Sequence, residues 1–249
     1  MENTRTKTTR NSLILLLTAA IWGMAFVSQS KGMDYMHPFT FNGVRSLIGA
    51  ASILVYILIS RKIAGDKAAP LDWKLNVKAG LLCGIFLTIA STLQQFGIKY
   101  TSVGKAGFIT TLYIIFVPMF GIFLKKKVAP VVWAAAVMAA VGMYLLCMTE
   151  SLRLGAGDIM VFLCAIAFAI QIMTVDHYAA RIDGAVVSCI QFAVCGVVCC
   201  IGALIWGQPT LGQLQEGLGA LLYAGVLSCG VGYTLQIVGQ KGLNPTVAA

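Results

Sequence analysis

Ser91 to Pro118 reads STLQQFGIKYTSVGKAGFITTLYIIFVP, two apolar segments that meet across a short polar corner from Lys99 to Lys105, the second with Pro118 well inside it. Part of this stretch returns. Set against Tyr233 to Ala249, YTLQIVGQKGLNPTVAA, it matches at Thr92/Thr234, Leu93/Leu235, Gln94/Gln236, Gly97/Gly239, Lys99/Lys241 and Ala106/Ala248. A block that begins again points to an internally duplicated architecture, and the second copy is expected to be incomplete.

Composition sets the class. With 59% hydrophobic and 11% charged residues, the chain is too apolar for a soluble domain. Its apolar runs are long enough to cross a hydrocarbon core of roughly 30 Å at ~1.5 Å per residue. Backbone groups in lipid must bond within their own segment, so each run is expected to be a helix. The expected fold is all-α, a polytopic helical membrane protein. Strand-like alternation, which a transmembrane barrel requires, is absent. Eight spans can be drawn: Asn11 to Ser30, Pro38 to Ser60, Leu75 to Ile98, Gly107 to Leu124, Val131 to Met148, Asp158 to Val175, Ala185 to Trp206 and Gly217 to Gly239. The first follows Arg5, Lys7 and Arg10 but lacks a small-residue cleavage site, so it reads as a retained span.

Basic residues fall between the spans, which makes the net charge of +9 a matter of topology and not of nucleic-acid binding. One side collects thirteen: Arg5, Lys7, Arg10, Arg61, Lys62, Lys67, Lys74, Lys78, Lys125, Lys126, Lys127, Arg181 and Lys241. The other holds four, Lys31, Lys99, Lys105 and Arg153. The imbalance places the N-terminus in the cytoplasm of a multi-pass cell-membrane protein. The repeat offset of 142 carries the third span onto the eighth, an odd separation of five, so the two copies are inverted. The organisation expected is a basic N-terminus over 1–10, a first five-helix repeat over 11–148 and an incomplete second over 149–249. Residues Phe108 to Met148 have no second counterpart, and about 40 residues and two spans would complete a ten-span fold.

The segments LLLTAAIWGMAFVSQ (Leu15–Gln29), HPFTFNGVRSLIGA (His37–Ala50), LQQFGIKYTSVGKAGFITTLYIIFVPMFG (Leu93–Gly121) and LQIVGQKGLNPTVAA (Leu235–Ala249) resemble the EamA-type branch of the drug/metabolite transporter superfamily. The resemblance implies two inverted five-helix bundles around a central cavity. It also implies export or exchange of small metabolites, such as amino acids or other amphipathic solutes, by alternating access.

Several residues are candidates for the transport site. Arg45, the permanent charge within a span, either snorkels outward or pairs with Asp34, or else anchors a substrate carboxylate or gates. Gln94 and Gln236, the repeat partners, are costly in hydrocarbon and should face the bundle interior, as interhelical glue or as cavity lining. Gln171 and Gln29 are read the same way. Trp22 sits mid-span, packing the core or forming an aromatic wall. The Tyr113 hydroxyl requires a partner. Pro118 removes a helical hydrogen bond and frees the Ile114 carbonyl, giving a fixed kink or a hinge.

Lys99 and Lys105, on the sparsely charged side, could steer anions to the cavity mouth. Gly80-xxx-Gly84 permits close helix approach, and a homodimer is left open on that spacing. The eight cysteines read as buried free thiols, with Cys195 and Cys199 on one helix face. No acid lies mid-span, no P-loop is present and neither His37 nor His177 has metal-ligand spacing. No cofactor or catalytic group is expected. The partners expected are the lipid bilayer and a small-molecule substrate.

Overall fold

The structure is a computed structural model that describes residues 4–65, 70–123, 130–148 and 155–240. It is a bundle of helices: α1 (Thr4–Tyr35), α2 (Pro38–Ala64), α3 (Trp73–Tyr100), α4 (Val103–Thr111), α5 (Tyr113–Phe123), α6 (Pro130–Met148), α7 (Ala156–Tyr178), α8 (Gly184–Gly202), α9 (Leu211–Glu216), α10 (Leu218–Leu222) and α11 (Tyr233–Gln240). Wider π-helical turns extend α8 over Ala203–Gly207 and join α10 to α11 over Tyr223–Gly232.

Local chemistry explains where the helices begin. His37 precedes a proline, which forces it into extended backbone, and Pro38 then opens α2 at a position that needs no donor. The His37 Nδ1 accepts from the Phe39 N–H at 3.4 Å. Burial, with Lys99 nearby, holds this imidazole below the usual histidine value, which keeps it neutral and able to accept. Asp72 caps α3 by accepting from the Leu75 N–H at 3.0 Å, and Ser102 caps α4 by accepting from the Lys105 N–H at 3.2 Å. Asp183 caps α8 through the Ala185 and Val186 amides.

Among the described residues, seven helical segments are long and apolar enough to cross a bilayer: Thr9–Tyr35, Pro38–Ala64, Trp73–Tyr100, Val103–Ile122, Ala156–Tyr178, Gly184–Gly207 and Leu218–Gln236. The count is thus seven where the sequence suggested eight. The remaining expected span coincides with α6, a helix of 19 residues, several of whose side chains lie outside the described set. The polarity of the bundle is that of a protein dissolved in lipid. Leu16, Leu58, Ile63 and Leu204 are exposed, whereas Asn42, Asn76, Gln95 and Gln191 are buried. The chain is therefore an all-α multi-pass membrane protein.

Three local expectations change. The first helix does not stop at Ser30; nothing in the sequence breaks it before the turn ahead of Pro38, and α1 runs back to Thr4 through the basic N-terminus. The fourth span is interrupted at Leu112, six residues before Pro118, where the Leu112 N–H turns to the Ile109 carbonyl at 3.2 Å. Lys105 is only 9% exposed, so it does not stand free at a cavity mouth. Lys99 is exposed, with its Nζ 5.8 Å from the Tyr100 ring centre. Lys67, Lys125, Lys126, Lys127, Arg153 and Lys241 lie outside the described residues.

Helix packing uses small residues where backbones meet. A Cβ on Gly80 would sit 2.7 Å from Ile190, and one on Gly84 2.8 Å from Val194, so this glycine pair serves the α3–α8 contact inside the chain. Gly97 presses α3 onto α7, where a Cβ would collide with Val161 and approach the Gly157 carbonyl at 2.9 Å. Its repeat partner, Gly239, does the same between α11 and α1, where a Cβ would lie 2.8 Å from Leu15 and 3.3 Å from the Asn11 carbonyl. The two copies of the repeated block thus make equivalent close contacts with two different helices. The α3–α7 corner is also tied by Asp158, which accepts from the Thr101 hydroxyl and from the Gly155 N–H at 2.9 Å.

Candidate functional site

A cavity of about 460 Å³ lies between α1, α2, α3, α4, α7 and the π-helical stretch that leads into α11. Trp22, Arg45, Gln94, Tyr113, Gln171 and Gln236 all line it, together with Gln29. Pro118 does not; it is buried in α5, beside the Val117–Ala169–Ile172 cluster that packs α5 on α7.

One wall is aromatic. Trp22 and Tyr233 meet with ring centres 5.0 Å apart, and Tyr233 stands edge-on to Phe192 at 4.7 Å. The indole Nε1 of Trp22 donates to the Ser228 carbonyl at 3.3 Å. That carbonyl belongs to the π-helical stretch, whose wider turns alter the normal hydrogen-bond ladder. A Cβ on Gly232 would stand 2.7 Å from the same indole nitrogen, so this approach requires a glycine. Phe26 and Phe168 extend the apolar surface.

The polar wall is built around Arg45, which is 5% exposed. Its Nε donates to Asn42 Oδ1 at 3.0 Å, and its guanidinium lies 5.6 Å from the Phe41 ring centre. It neither snorkels to the surface nor pairs with Asp34, which is exposed on α1. Helical geometry explains this, because Asn42 and Arg45 are three residues apart and share a face. The Asn42 amide in turn donates to Ser91 Oγ at 3.1 Å and Cys199 Sγ at 3.2 Å, with Thr92 Oγ1 at 3.5 Å. Ser46 reaches Cys195 Sγ at 3.5 Å. A buried polar seam therefore joins α2, α3 and α8 directly behind Arg45. All seven described cysteines are free thiols, Cys189 and Cys200 being only partly buried; Cys147 lies outside the described side chains.

The glutamines divide. Gln94 donates to Thr110 Oγ1 at 3.2 Å, tying α3 to α4, and Gln171 donates to Gln191 Oε1 at 3.0 Å, tying α7 to α8. Both are interhelical links and cavity lining at once. Gln236 and the Tyr113 and Tyr233 hydroxyls make no hydrogen bond among the described residues and are open to the cavity. Asn42, Ser91 and Tyr233 were not singled out from sequence; the (i, i+3) spacing of Asn42 and Arg45 was the available signal. The same spacing recurs in α8, where Gln191 Nε2 donates to Ser188 Oγ at 3.5 Å, but there the pair is neutral.

A second cavity, of about 580 Å³, sits among helix ends near Arg61, Asp72, Arg181 and Asp183. Arg61 and Asp183 pair across it at 3.5 Å. None of the residues predicted from sequence lies there. No cluster of three or more metal-ligating side chains occurs among the described residues.

The sequence matches the EamA-like transporter family twice, over residues 10–148 and 155–249. It is similar to an uncharacterized transporter of Archaeoglobus fulgidus, 31% identical over 171 residues, which is 66% of this chain and 48% of that protein. The chain thus spans about half the length of this relative. It is also 26% identical to the uncharacterized transporter YwfM of Bacillus subtilis over 241 residues, 95% of this chain and 79% of that one. A crystal structure superimposes with a TM-score of 0.74 at 16% identity, covering 96% of this chain and 82% of the other, and this likeness speaks to fold alone.

Proposed function

The chain belongs to the EamA-like transporter family, and from that premise we propose that its central cavity carries small amphipathic metabolites across the cell membrane by alternating access. Amino acids and solutes of similar size are the class in view, exported or exchanged. The observation that carries this reading is convergence: residues chosen one by one from six separate spans border a single cavity. A volume of about 460 Å³ is of the size that holds a small organic molecule. Trp22 is read as the wall for an apolar group, Arg45 as the anchor for a carboxylate, and Gln94, Tyr113, Gln171 and Gln236 as hydrogen-bonding partners.

The two halves, 11–148 and 149–249, are read as inverted repeats that rock against one another, with the N-terminus in the cytoplasm. The equivalent close contacts at Gly97 and Gly239 support this, as does the double family match. Pro118, with the break at Leu112, is read as the hinge of the fourth span.

The test is uptake by the purified protein in proteoliposomes, with candidate solutes taken from a metabolite comparison of cells with and without it. Arg45→Lys should weaken uptake of carboxylates while leaving the protein folded. Unchanged uptake of every solute would reject Arg45 as the anchor.

A further inference from the structure

The charge around the cavity is unbalanced, and this bears on how the protein cycles. Among the described residues, Arg45 is the only charged side chain on the cavity wall. None of the described acids borders the cavity: Asp158 is held by Thr101 and the Gly155 N–H, Asp183 pairs with Arg61 at the helix ends, and Asp34 is exposed. The partner Arg45 does have, Asn42, is neutral and already committed to Ser91 and Cys199. The two terminal guanidinium nitrogens have no hydrogen bond among the described residues, and an open cavity leaves them accessible to water. Alternating access requires it to close, and the walls that would close over Arg45 include Trp22, Phe26, Phe168 and Phe192. Enclosing an unpaired cation among such groups is strongly unfavourable, whereas a bound anion with an apolar body both neutralises it and displaces the water.

Resting on the transporter reading above but narrowing its solutes to exclude free zwitterionic amino acids, we infer that this cavity takes monoanionic amphiphiles and reorients only when one is bound, so that the protein is an obligatory anion exchanger. A cation would add to the uncompensated charge. A zwitterion would satisfy Arg45 but bring an ammonium group with no carboxylate to meet it. The loaded cavity is neutral only for the monoanion, and the empty cavity is never neutral. The neutral Ser188–Gln191 pair at the matching spacing in α8 supplies no second charge, so the requirement is for one negative group.

Three solutes that share one indole ring separate the alternatives: N-acetyltryptophan as the anion, tryptophan as the zwitterion and tryptamine as the cation. The full chain is reconstituted in liposomes loaded with each labelled solute. N-acetyltryptophan should leave slowly into solute-free buffer and on the order of a hundredfold faster when unlabelled N-acetyltryptophan is outside. Tryptophan and tryptamine should cross far more slowly under both conditions. Asn42→Asp places a carboxylate where Oδ1 now lies, 3.0 Å from the Arg45 Nε. This internal counter-charge should permit the empty cavity to return, raising net efflux until external anion stimulates it only a few fold. Arg45→Gln, which removes the charge, should abolish the preference for the anion.

Net efflux from the unaltered protein as fast as exchange would overturn the inference, whatever the variants do. So would equal or faster movement of tryptamine or tryptophan, and in that case the transporter reading survives. If none of the three solutes crosses, the inference fails, while the transporter reading is decided separately by uptake of the solutes found in the metabolite comparison.

Discussion

Replacing Asn42 by alanine tests the polar seam most directly. The Asn42 amide carries two hydrogens, which suffice for the bonds to Ser91 at 3.1 Å and Cys199 at 3.2 Å, and its oxygen accepts from the Arg45 Nε at 3.0 Å. Side-chain hydrogen bonds between membrane helices contribute about 0.6 kcal/mol each, and up to ~1.7. A bond to a charged group contributes about 1.5–3 kcal/mol. Two of the first kind and one of the second amount to a loss of about 3–4 kcal/mol. The assay is reversible SDS unfolding of the purified protein in mixed micelles. Leu54→Ala, on the lipid-facing surface of α2, provides the reference and should change stability by no more than ~0.5 kcal/mol. A double-mutant cycle of Asn42→Ala with Arg45→Met should return a coupling of about 1.5–3 kcal/mol. A loss below ~1 kcal/mol for Asn42→Ala, or a coupling near zero, would refute the account of the seam as the support of Arg45.

Gly97→Val and Gly239→Val should each destabilise by about 1–3 kcal/mol in the same unfolding assay through overpacking at α3–α7 and α11–α1, while Gly219→Ala, with open space around it, should not destabilise. The fold holds His37 below its usual value of 6.5 and so favours the neutral ring; stability is complete above pH 6.5 and falls as pH drops through the folded-state value, a decline measurable as a lower Tm at pH 5.0 than at 7.5. His37→Ser, which keeps a capping oxygen and removes the titration, should flatten that decline. Pro118→Ala should change turnover more than apparent affinity, and equal effects on both would reject the hinge. Single-cysteine labelling in a cysteine-free background should reach Arg61→Cys from the cytoplasmic side and Lys99→Cys from the outside; labelling of both from one side would refute the assigned threading.

Much of this protein is determined locally. A chain with long apolar runs has one economical way to satisfy its backbone in lipid, and the positions of the helices follow from the runs themselves. The depth of Arg45, Gln94 and Gln171 follows too, since each residue advances ~1.5 Å along its helix. The repeat is visible because Gly97 and Gly239 are held by the same steric demand, close approach to another helix.

Rotation about the helix axes is not local, and there the tertiary structure decided. Whether the face that Asn42 and Arg45 share looked outward, toward Asp34 or into the bundle depended on which helices lay beside α2, and the α8 and π-helical segments that flank it begin 120 residues or more after α2 ends. The same holds for Trp22, which finds its acceptor at Ser228 because a π-helical stretch and Gly232 admit the indole. Gly80 and Gly84 could equally have served a second chain; the packing of α3 on α8 within the chain is what engages them. Lys105 read as a surface charge because it ends the polar corner between two spans, yet the turn from α3 into α4 folds it inward. Hydrophobicity specifies how deep a residue sits in the membrane, and contacts among helices remote in sequence specify what it faces.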